Sequence, residues 1–469
     1  MATADQAQLV VVGGGPGGYA AAFHAADLGL RVTLIDPEKN PGGVCLYRGC
    51  IPSKALLHVA GVIAEAKEAA AAGVSFGAPK IDLDALRAFK GGVVERLTGG
   101  LGQLSRARKI TYVQGRARFT AANTLEVTGP EGTKTSLDFA QAIIATGSRA
   151  ATLRNLPDDE RVMNSRQALD LPEVPKRLLV VGGGYIGVEM ASVYAALGAR
   201  VTIVELTGGL LPGADRDLVK PLEIRIKGVL EALWLNTKVT SAKVQGKTVT
   251  VEVEGPDGKK KETFDRLLVA VGRVPNTKDI GLEALGITVD DHGFIPVDLA
   301  RRTKLAHIFA IGDVAGQPML AHKASHEGQV AAAAAAGKKV AFEPQAIPAV
   351  VFTDPEVAWC GLTEEDAKRS GVEVKVGKFP WAASGRALTM GRSDGLTKVV
   401  AEAASGRVLG VGVVGPGAGE LIAEGVLAVE MAAVAEDLAL SIHPHPTLSE
   451  TLMEAAASVF GKSLHYLGR

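Results

Sequence analysis

A glycine fingerprint occurs twice in this 469-residue chain, the second copy 169 positions after the first. The first copy runs QLVVV, then Gly13-Gly14-Gly15-Pro16-Gly17-Gly18, then YAAAFHAADLG, then RVTLI and Asp36. The second runs LLVVGGGYIGVEMASVYAALGARVTIVE, with Gly182, Gly184 and Gly187, and closes at Glu205. The same offset aligns Leu28 with Leu197, Arg31 with Arg200 and Thr33 with Thr202, and each closing acid follows its first glycine by 23 residues. An apolar strand, a glycine turn, a helix and a strand ending in an acid make a dinucleotide-binding βαβ unit. The glycines permit a tight turn and close approach of a pyrophosphate to the helix N-terminus. The acid is placed to accept hydrogen bonds from ribose hydroxyls. Duplication of the whole unit predicts an α/β chain with two Rossmann-like domains, and therefore two dinucleotides.

Between the copies lies GGVCLYRGCIPSK, where Cys45 and Cys50 sit five positions apart in a chain with three cysteines. On a regular helix, positions i and i+5 have Cα atoms roughly 8 to 9 Å apart, beyond the usual reach of a disulfide. If the two bond, the backbone between them is not regular helix, and Gly49 and Pro52 are the candidates for the irregularity. Pro52 suits the first turn of a helix starting just after Cys50, and such a helix N-terminus favours a thiolate at Cys50. The spacing alone leaves two readings open, a redox pair and two buried structural thiols. With a dithiol nine residues beyond the first acid and two dinucleotide units, the economical reading is a flavoprotein. FAD then occupies the first unit, a nicotinamide nucleotide the second, and a disulfide forms a third redox centre.

Composition agrees. The length suggests about three domains. Apolar residues make up 47 % of the chain, and the net charge is zero with a pI near 7.1, so nothing points to nucleic acid or an anionic membrane. The start MATADQAQ lacks the basic and apolar parts of a signal peptide. No apolar run is long enough to span a bilayer. Three cysteines are not a secreted disulfide scaffold. A cytoplasmic protein without a metal site is expected. The pattern divides into residues 1–148, the first nucleotide domain, and 149–280, the second, which includes a β-rich stretch with a hairpin signal at GPDG. Residues 281–347 form a central piece that completes the first site. From 348 to 469 the pattern is α+β, with strands AVVFT and KVVAEA before a helix-rich tail. The run AAAAAAG at 331–337 reads as a helix end.

The motifs GGGPGG, GGVCLYRGCIPSK, ATGS, GGGYIGVE, VGRVPN, FAIGDV, MLAHKASHEG, FTDPEVAWCGLTE, VGPGAGE and HPHPTLSE follow one another in this order. In that order they resemble the pyridine nucleotide–disulfide oxidoreductases over nearly the whole chain. Within the family the chain looks like the branch that reoxidises the lipoyl arm of 2-oxo acid dehydrogenase complexes. The resemblance implies FAD-dependent oxidation of protein-bound dihydrolipoamide with reduction of NAD. It also implies a homodimer built by the C-terminal domain, with lipoyl domains or the glycine-cleavage H protein as partners.

The resemblance also assigns residues. Cys45 matches the thiol that exchanges with substrate, and Cys50 the charge-transfer thiol beside the flavin. Lys54 matches a lysine near the flavin's reactive edge, and Glu189 its carboxylate partner; solvated helix charges are the bland alternative. Ala117, Ala145, Thr146 and Gly147 match further FAD contacts. Asp313 matches the acid that binds the ribitol chain, and Met319, Leu320, Ala321 and His322 match backbone contacts behind the isoalloxazine. Gly272 matches a contact to the nicotinamide nucleotide. His445 matches the base that takes a proton from the substrate thiol, oriented by Glu450, because imidazole titrates near working pH. His443 is read as a structural neighbour, and His24, His58, His292 and His307 as surface or packing residues.

Two residues depart from the family pattern. Tyr47 replaces an asparagine inside the cysteine motif. Tyr185 stands where the lipoyl branch carries an aliphatic residue and glutathione reductases a tyrosine that lids the nicotinamide pocket. A glutathione-type reductase using NADPH is the first rival; IPSK and the acidic Glu205 argue against it. Mercuric-ion and thioredoxin reductases of this family want a C-terminal cysteine pair, and SLHYLGR has none. A flavin-binding scaffold without catalysis is the rival from another class, opposed by retention of both cysteines, His445 and Glu450.

Overall fold

The computed structural model describes residues 7–154 and 156–467. The start MATADQ and the last two residues of SLHYLGR lie outside them. The first fingerprint builds a sheet whose strands run Thr111–Gln114, Val32–Asp36, Ala7–Val12 and Lys134–Ile144, with Ile308–Ala310 also paired to Lys134–Ile144. These pairings are parallel. The strands at its centre carry unbroken apolar runs such as Leu9-Val10-Val11-Val12, all buried, as a parallel sheet covered on both faces requires. Arg116–Ala121 and Thr124–Thr128 extend the sheet antiparallel at one edge.

The segment expected as a separate central piece thus supplies a strand to the first sheet. Its helix Ala321–Ala335 packs on the fingerprint helix Pro16–Asp27. Small residues allow the two backbones to approach: a Cβ on Gly328 would stand 2.5 Å from the Gly17 carbonyl oxygen. The alanine run is therefore the buried end of this helix, as its pattern suggests. Packing here carries the turn at Asp313 to the mouth of the first fingerprint.

The second fingerprint builds a five-stranded parallel sheet in the order Ala232–Trp234, Arg200–Val204, Arg177–Val181, Arg266–Val269, Val162–Asn164. The β-rich stretch folds as three antiparallel strands, Lys238–Gln245, Thr248–Gly255 and Gly258–Phe264. Two short strands, Ser148–Ala150 and Arg273–Pro275, pair antiparallel where the chain enters and leaves this unit.

The C-terminal portion is a five-stranded antiparallel sheet in the order Ala349–Val351, Glu356–Gly361, Val408–Gly415, Leu396–Glu402, Val374–Pro380. Helices Ala418–Glu430, Ala435–Leu440 and Glu450–Ser458 follow. Only two of these strands were expected. Val374–Pro380 has glycine and proline among its residues, and VLGVGVVG has three glycines, which weaken a strand reading. Gly410 and Gly412 show why glycine stands there: a Cβ would meet Leu362 O at 2.0 Å and Leu218 Cδ1 at 2.4 Å.

Candidate active site

The duplication seen in the sequence persists in atomic detail. Gly13 and Gly182 have φ of +104° and +112°, and a Cβ on either would lie 2.3 and 2.4 Å from the carbonyl oxygens of Ala145 and Ala270. A Cβ on Gly18 or Gly187 would strike the carbonyl oxygen of Gly13 or Gly182 at 1.8 or 2.0 Å. Both positions therefore require glycine for helix-on-strand packing. The middle glycine differs. A Cβ on Gly15 would meet only Gly43 Cα at 3.9 Å, and one on Gly184 nothing within 4 Å. That open space faces each helix N-terminus, where a pyrophosphate is favoured. The closing acids also match: Asp36 accepts from Gly14 N and Glu205 from Gly183 N, each at 2.6 Å.

A cleft of about 810 Å³ opens from the first glycine turn. Gly13, Gly15 and Asp36 of the nucleotide unit line it, together with Cys45, Cys50, Lys54, Tyr185 and Glu189. Ala117, Ala145, Thr146, Gly147, Asp313, Met319 and Ala321 lie along it. Leu320 is the residue preceding the helix Ala321–Ala335 and does not line the cleft, nor does His322, whose ring lies 2.7 Å from the Pro348 carbonyl oxygen.

The cysteines sit on two helices, Gly43–Arg48 and Cys50–Glu68, broken at Gly49 with φ −147° and ψ −114°. The break confirms that the intervening backbone is not regular helix. Pro52 lies in the first turn of the second helix, as expected. Two details differ: that helix starts at Cys50 itself, and the irregularity falls at Gly49 alone. A Cβ on Gly49 would stand 2.8 Å from Val44 O. In this dithiol form the Cys45 thiol donates to the Cys50 sulfur. That hydrogen bond, added to burial, pushes Cys45 far above the usual thiol range. The same bond lowers Cys50 to about 7, against burial and with help from the Lys54 ammonium. Both directions make Cys50 the more acidic thiol of the pair.

Lys54 Nζ reaches both carboxylate oxygens of Glu189 at 2.9 Å. Glu189 is buried and also accepts from Phe352 N at 3.0 Å, and Lys54 stands over the Phe352 ring. Phe352 was not foreseen; it comes from the C-terminal portion and fixes the pair from a third direction. The pair sets the charge balance at Cys50, since Lys54 lowers its pKa and Glu189 raises it. Lys54→Met is expected to move the Cys50 titration up from about 7 by about one pH unit, and Glu189→Gln to move it down. Thiolate ultraviolet absorbance of the reduced protein against pH checks both signs. Tyr47, the departure inside the cysteine motif, donates to the Asn40 carbonyl oxygen at 3.0 Å, a local structural use.

At the second turn, Glu205 is buried and its Oε1 accepts from Thr207 N and Thr207 Oγ1, both at 2.8 Å. With Gly183 N on Oε2, one lone-pair direction on Oε2 remains for a hydroxyl. Arg216, just beyond LTGGLLPGAD, directs its guanidinium to the carbonyl oxygens of Leu210, Leu211 and Ala214. Gly272 has φ +117° and its carbonyl accepts from Ala151 N at 2.9 Å.

His445 and Glu450 lie far from this cleft in the chain and do not line it. Their side chains pair, His445 Nδ1 to Glu450 Oε1 at 2.9 Å, and Glu450 Oε2 accepts from Thr447 N at 2.7 Å. Against the burial that raises it, these bonds hold the Glu450 carboxyl below its ordinary value. The His445 side chain is 76 % exposed. His443 is held between Ser441 O and Glu424, the structural place expected of it.

Comparison with known proteins meets this geometry. The model described as pyridine nucleotide-disulphide oxidoreductase matches residues 7–328, and that of the family's dimerisation domain matches residues 347–456. The chain belongs to the pyridine nucleotide-disulphide oxidoreductases. A dihydrolipoyl dehydrogenase of Vibrio cholerae is 50 % identical over 97 % of this chain and 96 % of its own. One from Thermus scotoductus is 46 % identical, over 98 % and 99 %. Among solved structures, LpdA from Mycobacterium tuberculosis superposes with a TM-score of 0.89 at 29 % identity, covering 97 % of this chain and 99 % of that one.

As a member of this family the protein is a flavoprotein oxidoreductase that uses FAD and NAD. Its residues fit both groups. The first cradle tolerates no Cβ at Gly13 or Gly18, is open at Gly15, and lines a cleft that the cysteines also line. The second has the same cradle and an acid for a ribose. The dimerisation domain carries exposed apolar side chains at Leu427, Met431, Leu440 and Ile442, the last 99 % exposed. Among the described residues no helix is long and apolar enough to cross a membrane.

Proposed function

We propose that the protein is a dihydrolipoyl dehydrogenase, acting in the cytoplasm as a homodimer on the lipoyl domains of 2-oxo acid dehydrogenase complexes or the glycine-cleavage H protein. The observation that carries the reading is the cleft, lined by both a nucleotide cradle and a dithiol with unequal thiols. The near full-length likeness to dihydrolipoyl dehydrogenases selects this branch of the family.

The chain's own residues then have distinct tasks. Reduced substrate brings two thiols, and one must lose a proton before it can attack. The exposed imidazole of His445, held through Nδ1 by Glu450, takes that proton at Nε2. The thiolate attacks Cys45 of the Cys45–Cys50 disulfide; a mixed disulfide forms at Cys45 and Cys50 leaves as thiolate. The second substrate thiol attacks the substrate sulfur of the mixed disulfide, and its proton goes to the departing Cys45 sulfur. A cyclic disulfide departs, Cys45 is freed, and two electrons remain on the protein's dithiol. Lys54, neutralised by Glu189, stabilises the charge left on Cys50. FAD, when bound, supplies the two-electron link between this dithiol and NAD. Asp313, Met319 and Ala321 are assigned to holding it, and Gly272 and Glu205 to holding the nicotinamide nucleotide.

The test pairs two assays: NAD reduction with free dihydrolipoamide, and NADPH oxidation with oxidised glutathione. Turnover is expected only in the first; the opposite result assigns the protein to the glutathione-type branch. Glu205 further predicts discrimination within the first assay. A 2′-phosphate would meet the buried carboxylate, and Arg216, committed to three carbonyl oxygens, does not neutralise it. Like charges at such range cost several kcal/mol, so kcat/KM with NAD is expected to exceed that with NADP by about 100-fold or more. Comparable values would sink the claim.

A further inference from the structure

We propose that Arg273 is a positioning residue for the flavin-site acid Asp313, acting through the hydroxyl of Ser148. The proposal rests on the flavin reading of the first cleft. Arg273 opens the short strand by which the chain leaves the second nucleotide unit, and Ser148 opens the strand by which it leaves the first. The two strands pair antiparallel, so these crossings between the units are fastened to each other.

Arg273 Nε–H donates to Ser148 Oγ at 2.7 Å, and its Nη2 donates to Ser148 O at 2.8 Å. Ser148 Oγ–H in turn donates to Asp313 Oδ2. A hydroxyl has one proton. Because Ser148 receives from the guanidinium, that proton is directed at the carboxylate, and the order Arg273 to Ser148 to Asp313 is fixed. The Arg273 Nε stands 4.0 Å from Asp313 Oδ2, too far for a direct hydrogen bond. Ser148 is 2 % exposed, and the Arg273 and Asp313 side chains are mostly buried, so water competes little with the chain of bonds.

The turn's backbone is held by other groups. Glu327, fully buried, accepts from Gly312 N at 2.6 Å and pairs with Arg301 at 2.9 Å and Lys323 at 3.1 Å. Lys323 also donates to Gly316 O at 3.0 Å. The main chain on both sides of Asp313 is therefore fixed from below, while the direction of its carboxylate is set from the side by Ser148 and Arg273. Asp313, Ser148 and Arg273 all line the cleft. Oδ2 is engaged by the serine, which leaves Oδ1 to accept from a hydroxyl of a bound flavin nucleotide.

The experiment is FAD titration of the FAD-free protein, followed by quenching of flavin fluorescence. Arg273→Gln and Ser148→Ala are each expected to raise the FAD dissociation constant about tenfold, the loss of one charge-assisted hydrogen-bond path. Because both break the same path, the double variant is also expected near tenfold, not near a hundredfold. Arg273→Lys keeps the charge but cannot reproduce the two-pronged contact, so its constant is expected to rise about threefold, between the parent and Arg273→Gln. An unchanged constant in either single variant, or multiplied effects in the double variant, overturns the proposal. If Arg273→Gln does not fold, Ser148→Ala alone decides between the same two outcomes. A parent protein that binds no FAD would overturn the flavin reading itself, which is a different result from variants that bind as the parent does.

Discussion

Serine at position 45 is expected to abolish dihydrolipoamide oxidation, by roughly 10⁴-fold or more, while the bound flavin keeps a thiolate beside it. The expectation follows from the unequal thiols. Cys45 is the hydrogen-bond donor of the pair, driven up by that bond and by burial; Cys50 is the acceptor, lowered to about 7 with Lys54 nearby. A serine at 45 still donates to Cys50 but offers no sulfur for exchange. Serine at position 50 also stops turnover, and it removes the thiolate. The long-wavelength thiolate-to-flavin absorbance is therefore expected in Cys45→Ser and absent in Cys50→Ser. Brief alkylation of the reduced holoenzyme is expected to label Cys45. After removal of FAD the label is expected to move to Cys50, the more acidic thiol of the pair. Label mainly on Cys50 with FAD in place would reverse the two roles.

Local pattern carried the nucleotide units because their physics is local. Strand, turn, helix and acid lie within one βαβ segment, and the glycines answer contacts inside that segment, such as Gly18 against Gly13. The cysteine pair was legible for the same reason, although the helix break belongs to Gly49 alone. What stayed hidden depends on distant packing. Ile308–Ala310 joins a sheet begun 300 residues earlier, and no periodicity in a three-residue strand announces that pairing. Three C-terminal strands were missed because their glycines read as breakers, whereas they make room for backbone and side-chain neighbours. Phe352, Ser148, Arg273 and Glu327 lie in motifs that carry the family resemblance but were given no role of their own. Each is an ordinary residue until the fold sets it against Glu189, Asp313 or Gly312. The Lys54–Glu189 pair was named only through family resemblance, since 135 positions separate the two.

Mixing two inactive variants is expected to restore activity, because the base and the disulfide of one site are proposed to come from different chains. His445 is 76 % exposed and does not line the cleft that holds Cys45. Yet its ring is already held by Glu450, and Glu450 by Thr447 N, the arrangement of a base without its substrate thiol in the same chain. The segment lies in the dimerisation domain, beside exposed Leu440 and Ile442, and obligate dimer interfaces are apolar surfaces of this kind. A two-fold dimer would bring the ring of one chain to the disulfide of the other. His445→Gln is expected to lower kcat by roughly 10²- to 10⁴-fold, and Cys45→Ser to be inactive. Unfolded and refolded together, they pair at random, and about half of the dimers are mixed. In a mixed dimer one site lacks both groups and the other has Cys45 from one chain and His445 from its partner. About a quarter of all sites should therefore work, against none in either parent variant. Mixed dimers shown to be present but inactive would mean that each chain supplies its own histidine, and the exposed ring would then need another task.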